Sequence, residues 1–165
     1  STDFAISAIC SILENGEALK KNPSDLKIRN NLLKSATVAG LAFSNTTTAA
    51  AHSMSYPLTI HYGIPHGVAS SISLLPLMEI NGKLIKEPLD RICNNNELTY
   101  DELKQTIKDI PKGVVPYTLD EWGIPEDQLP TLAAESFTKG RMDNNVVDLT
   151  EDDVLGILKE LYSDQ

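Results

Sequence analysis

Apolar positions recur at helical spacing along most of the 165 residues. Phe4, Ala5, Ala8, Ile9, Ile12 and Leu13 form one stripe on a first helix. Lys20, Lys21, Asn22 and Pro23 close it, with the lysines at the negative end of the helix dipole. Ser24 is placed to cap a second helix whose stripe is Ile28, Leu32, Ala36, Ala39 and Phe43. The later part of that helix, Ala36 to Ala42, is rich in small side chains that let a neighbouring helix or a ligand approach the backbone. A third helix is expected through Thr48 to His52, stopping near Pro57, because proline restricts its predecessor and cannot donate into the ladder.

Gly67 should open a fourth helix, Val68 to Met78, kinked or broken at Pro76. Shorter helices are expected over Leu84 to Cys93 and Tyr100 to Ile107, the latter with a capping box of Thr99 and Glu102. Residues 111–116 read as a linker, Thr118 to Gly123 as a short capped turn, and Pro125 to Phe137 as another helix. Thr150 to Asp153 cap a last helix that buries Val154, Ile157, Leu158 and Leu161. No run alternates long enough for a strand. The pattern therefore predicts an all-α, multi-helix, bundle-like domain.

Length and composition set limits on what such a domain does. A chain of this size fits one domain with a real core, built mainly from Leu, Ile, Val and Ala since aromatics are 5%. The net charge of -9 and the dispersed basic residues argue against a binder of nucleic-acid phosphates. Cys10 and Cys93 lie in helical patterns rather than in a CxxC or loop framework, as expected of buried, reduced thiols in a cytoplasmic protein. No apolar run is long enough to span a bilayer. Ser1, Thr2 and Asp3 stand directly against a helical pattern with no basic or apolar signal segment. A processed terminus and a piece of a longer protein both fit that start.

The candidate chemistry is concentrated in one window. All three histidines, His52, His61 and His66, fall between Ala51 and Gly67. Imidazole is the commonest protein ligand for transition metals and the usual proton carrier near neutral pH. Tyr56 lies one helical turn after His52, on the same face. Pro65 forces Ile64 to be extended, and Gly63 and Gly67 allow a sharp turn, so His66 can swing back toward the His52 helix. Two converging imidazoles make half of a tetrahedral or octahedral metal site. The alternative is that each histidine caps a helix end or satisfies a buried polar contact.

The residues Gly40, Leu41, Ala42, Phe43, Ser44 and Asn45, then Ala51-His52, Pro57-Leu58 and Pro65-His66-Gly67, resemble the signature of the iron-containing alcohol dehydrogenases. In that family a GxAFSN segment leads to one metal-binding histidine, and a second lies in a PHG turn fourteen positions later, the separation of His52 and His66. The opening Ser1 to Leu13 and the closing Asn144 to Leu161 also resemble the family. The whole chain is similar to its C-terminal all-helical domain, the dehydroquinate synthase-like α-domain.

By resemblance, His52 and His66 are metal ligands and Phe43 lines the pocket near substrate and nicotinamide. The metal, Fe²⁺ or Zn²⁺, would be a Lewis acid in the NAD(P)-linked interconversion of small alcohols and aldehydes. A homo-oligomer is expected, and the charge and hydropathy already described predict no nucleic-acid or membrane partner. Family members carry a further histidine where this chain has Tyr56, whose unperturbed pKa of about 10 makes it a poorer proton shuttle. His61 falls where the family varies, so it takes over proton transfer, contacts substrate, or is structural. The stretch Ser55 to Thr59 resembles the branch that reduces phosphonoacetaldehyde. Neither GxGxxG nor a GGGS-like run occurs, and the family's other two metal ligands, an Asp and a His on one helix, are expected just before Ser1. The resemblance thus implies the metal-binding half of a longer enzyme. The rival reading is a helical scaffold or binding domain that keeps the fold without catalysis.

Overall fold

The computed structural model describes residues 1–44 and 46–163. Asn45, the last residue of the Gly40 to Asn45 motif, lies outside the described residues. Among the described residues there is no strand, and the α-helices are α1 (Thr2–Lys21), α2 (Leu26–Phe43), α3 (Ala50–Tyr62), α4 (His66–Ser71), α5 (Leu74–Asn81), α6 (Lys86–Asn95), α7 (Tyr100–Asp109), α8 (Leu129–Glu135) and α9 (Glu151–Glu160). Short 3₁₀ turns occupy Glu126–Gln128 and Met142–Asn144. The contacts divide into two compact units, Ser1–Thr46 with Ile85–Val114, and Thr47–Leu84 with Val115–Gln165.

In the first unit α1 and α2 pack as a hairpin, with α6 on α1 and α7 on α6. Asp25, rather than Ser24, caps α2: its carboxylate accepts from Lys27 N at 2.8 Å and Ile28 N at 3.1 Å. The hairpin interface carries polar pairs that the apolar stripes did not suggest. Ile6, Ala8, Gly16, Ser35 and Ala42 are buried, whereas Phe4, Ile9, Ile12, Ala36 and Phe43 are exposed. Ser11 and Ser35 hydroxyls meet at 2.7 Å, and Asn31 Nδ2 donates to Asn15 Oδ1 at 3.1 Å. Gly16 is close to the Ile110 side chain, which an added Cβ would meet at 3.4 Å. Cys10 and Cys93 are free but only partly buried, so the expectation of buried thiols is corrected. Cys10 Sγ accepts from Asn96 Nδ2 at 3.1 Å, and burial raises the Cys93 thiol above its usual range.

In the second unit α3 packs on α4 and α8, and α9 packs on α5 and α8. Met54, Leu58, Ile64, Ile72, Leu129 and Leu158 are essentially solvent-free. Helix α3 does not stop near Pro57; it runs on to Tyr62 with Pro57 inside it. Proline in a helix interior costs about 3 kcal/mol. Here Pro57 is buried, and the helix around it places Met54 and Leu58 in the core, burial that offsets such a cost. The fourth helix begins at His66, not Gly67, with Pro65 as its N-cap. It ends at Ser71, and the break before α5 falls at Ile72 and Ser73 rather than at Pro76. Pro76 is the third residue of α5, where the missing N–H has no intrahelical partner to lose. The expected Pro125 to Phe137 helix is a 3₁₀ turn followed by α8.

Both capping boxes are present. Thr99 and Glu102 cap α7, and Thr150 with Asp153 caps α9 reciprocally. Hydrogen bonds from the capping threonines hold both carboxyl groups below their usual range. A depressed carboxyl pKa stabilises the fold above the unfolded value, and that contribution disappears as pH falls through the lowered folded value. We expect Thr150→Ala, which removes the hydroxyl but keeps the backbone N–H bond, to raise the Asp153 carboxyl part of the way toward its ordinary range and to lessen the loss of stability on acidification. Carboxylate titration by NMR, with thermal melts at pH 3 to 6, checks both expectations.

Candidate metal centre

The centre is built where α3 hands over to α4. Gly63 ends α3 in the left-handed conformation, φ 66°, and its N–H bonds back to Thr59 O at 3.0 Å. Ile64 is then buried completely, which anchors the reversal in the core. Pro65 is extended, and its carbonyl accepts from Val68 N and Ala69 N to start α4. His66 is consequently the first residue of α4, directed back toward α3.

That turn brings the His52 and His66 rings together. Their centroids are 5.3 Å apart with the planes at 64°. An imidazole ligating a first-row metal at about 2.1 Å has its centroid about 3.2 Å from the ion, so two rings at a tetrahedral angle stand roughly 5 Å apart. The observed separation fits a shared ion. Ser55 Oγ donates to His52 O at 2.7 Å and lies 3.4 Å from His66 Nδ1. A proton on Nδ1 can therefore point at Ser55 Oγ and leave the His66 Nε2 lone pair for a ligand. Partial burial, then the neighbouring His66 and Arg141, lower the His52 pKa from its ordinary value. Neutral imidazole, the form that ligates metal, is thereby favoured.

Two ligands do not close a coordination sphere. Among the described residues no group of three or more His, Cys, Asp or Glu side chains is arranged to hold a metal. His66 is exposed and His52 partly so, leaving the pair open on one side.

Tyr56 joins the pair as its position on α3 requires. Its ring stacks parallel to His66, centroids 6.4 Å apart and planes 13° apart. His61 is directed elsewhere: Nε2 is 2.6 Å from Glu135 Oε2 on α8, with both side chains nearly half exposed. Phe43 belongs to the first unit, 57% exposed at the last position of α2.

Several residues of this neighbourhood were not singled out by sequence reasoning. Arg141 lies over the Tyr56 ring, Cζ 5.0 Å from the centroid. Tyr56, His61, Glu135, Thr138 and Arg141 line a cleft of about 440 Å³. Ser53, fully buried on α3, donates to Ser136 O at 2.5 Å and accepts from Thr138 N at 3.2 Å. This bridge ties the segment after α8, which leads to Arg141, onto the helix bearing His52. The sequence signal for Arg141 was faint: it is one of three arginines, and it lies between the expected Pro125 to Phe137 helix and the Asn144 to Leu161 stretch, in residues to which no element was assigned.

Comparison with known proteins places these features in a family. A model described as the Fe-containing alcohol dehydrogenase family, C-terminal, matches residues 2–162. The NADPH-dependent butanol dehydrogenase of Clostridium saccharobutylicum is 31% identical over 122 residues, covering 69% of this chain and 31% of that protein. The 4-hydroxybutyrate dehydrogenase of Clostridium kluyveri is 26% identical over 174 residues, 96% of this chain and 46% of its own length. Among solved structures, a 1,3-propanediol oxidoreductase superposes with a TM-score of 0.83 at 25% identity, over 98% of this chain and 45% of that one. The sulfoacetaldehyde reductase of Bifidobacterium kashiwanohense, solved with NAD+, shares the fold with a TM-score of 0.86 at 24% identity, over 99% of this chain and 44% of its own. The chain thus spans less than half the length of these relatives.

The approach of His66 to His52 depends on the αL conformation of Gly63. An added Cβ there meets nothing within 4 Å, so substitution is opposed by backbone conformation rather than by crowding. We expect Gly63→Ala to destabilise the protein by about 1–2 kcal/mol, and Gly63→Asn, which tolerates αL, by less. Urea denaturation reads the stability, and imidazole NMR reads the loss of contact between the two rings.

Proposed function

The chain belongs to the iron-containing alcohol dehydrogenase family, matching its C-terminal helical domain, and from that premise we propose that it supplies the metal- and substrate-facing part of a metal-dependent, NAD(P)-linked alcohol dehydrogenase or aldehyde reductase. The observation that carries this reading is the His52 and His66 pair, whose ring separation fits two ligands of one ion. Fe²⁺ suits the family name and Zn²⁺ suits the same donors. Bound there, the metal would supply Lewis-acid polarisation of a carbonyl or alkoxide oxygen. The remaining ligands and most of the nucleotide-binding residues are assigned to the rest of a longer enzyme, in keeping with the length of the relatives it matches.

The roles left to this chain's own side chains follow from their positions. Ser55 orients His66 through Nδ1, and partial burial lowers the His52 pKa, which favours its neutral form. Tyr56, stacked on His66, presents a phenol beside the pair and hydrogen-bonds the substrate oxygen. Its hydroxyl replaces a titrating imidazole, so it orients more than it shuttles protons. Glu135 holds His61 at the cleft, where the imidazole receives the proton exchanged with solvent. Phe43, exposed at the end of α2, keeps by family resemblance the role of an apolar contact for the cofactor.

In the intact protein loaded with Fe²⁺ or Zn²⁺, aldehyde-dependent oxidation of NAD(P)H should be measurable. His52→Ala and His66→Ala should each abolish turnover and lower the bound metal, read by elemental analysis. Tyr56→Phe should slow turnover by about tenfold at most, the worth of one hydrogen bond. Full turnover or full metal content surviving His66→Ala overturns the assignment of the histidine pair, and absence of turnover in the intact, metal-loaded protein favours a non-catalytic helical domain. The 165-residue chain by itself, with two of the ligands, should bind divalent metal weakly and show no turnover.

A further inference from the structure

Arg141 is a cation in an acidic protein of net charge -9, and among the described residues no carboxylate pairs with it. The obvious candidate, Glu135, lines the same cleft but is engaged by His61 at 2.6 Å. The Arg141 guanidinium rests on the Tyr56 ring, 5.0 Å from its centroid, and is close enough to His52 to act on its charge. A guanidinium laid over an aromatic face is steered by the stack, while its N–H edge stays free for a planar partner. Its backbone is held as well: Arg141 N donates to Thr138 O at 3.2 Å, and Thr138 N is tied to the buried Ser53 hydroxyl.

We propose that Arg141 is a specificity-determining residue that binds a terminal oxyanion of the substrate, so that the preferred aldehydes carry an acid group at the end remote from the carbonyl. This rests on the aldehyde-reductase reading of the histidine pair. The cleft shared by Arg141, Tyr56 and His61, about 440 Å³, accommodates a short chain of this kind. A carboxylate, sulfonate or phosphonate there takes two parallel N–H bonds from the guanidinium. A neutral substrate of the same shape leaves that cation unpaired in the cleft, which is how a polar site rejects an analogue lacking its partner group. A phosphate of the nicotinamide cofactor offers the same oxyanion chemistry, and the experiment separates the two sources.

The test uses the intact, metal-loaded protein and matched four-carbon aldehydes ending in a carboxylate or in the isosteric carboxamide, with a short phosphonate-terminated aldehyde as a third substrate. The acid aldehydes should be preferred over the amide by at least tenfold in kcat/KM. Arg141→Gln should reduce that preference to near unity, chiefly by raising KM for the acids, and Arg141→Lys should restore part of it. Lys139→Gln, which removes a neighbouring positive charge, should leave the preference intact. Calorimetric binding of the corresponding four-carbon hydroxy acid should be lost with Arg141→Gln. An unchanged preference in Arg141→Gln overturns the proposal, as does a rise in KM confined to NAD(P)H. Absence of turnover with every aldehyde, alongside Arg141-dependent binding of the hydroxy acid, defeats the reductase reading and leaves the oxyanion site standing.

Discussion

The candidate site depends on one backbone constraint, the reversal between α3 and α4. Gly63 takes the left-handed conformation that most residues avoid, Ile64 disappears into the core, and Pro65 is pre-set to start a helix. Those three residues convert a separation of fourteen positions into adjacent imidazole rings. The burial of Ile64 matters as much as the glycine. A free glycine hinge would sample many directions, whereas a fully buried side chain next to it selects one.

A second layer of control is polar and buried. Ser53 has no solvent exposure, yet its hydroxyl both donates and accepts, joining α3 to the chain that follows α8. A buried hydroxyl with its partners removed would leave unpaired backbone groups. The bridge thus gives the segment before Arg141 a definite position instead of the freedom usual in a loop. The same economy appears in the first unit, where Ser11, Ser35, Asn15 and Asn31 set how closely α1 meets α2.

Charge is distributed with a similar logic. Carboxylates outnumber basic groups, and the carboxylates nearest the cleft and the helix starts have assigned partners: Glu135 with His61, Asp153 with Thr150, Glu102 with Thr99. Tyr56 lies between two different neighbours, His66 stacked on it and the Arg141 guanidinium over its ring. A histidine at that position would place a third titratable imidazole beside the pair. The phenol keeps the local charge lower while still offering a hydroxyl.

The helical class, the two capping boxes, the face of α9 and the histidine window were legible in the sequence, because each rests on local spacing. Val154, Ile157 and Leu158 are buried as their periodicity required, and Thr99 with Glu102 forms the box its motif spelled out. Local rules failed where packing or polar pairing competed with them. Pro57 sits inside a helix, buried on the same element as the core residues Met54 and Leu58. The α1 and α2 stripes are only partly turned inward: Ala8 is buried but Phe4, Ile9, Ile12, Ala36 and Phe43 are exposed, and serine and asparagine pairs lie between the helices. Cys10 and Cys93 kept partial exposure that apolar spacing could not foresee. Sequence also determined that His52 and His66 were the histidines to compare, through the Gly63 and Pro65 signals between them. Only the tertiary structure decided that Glu135 takes His61 and that Arg141 covers Tyr56. Those partners lie more than seventy positions apart in the chain, and no local periodicity carries information over that distance.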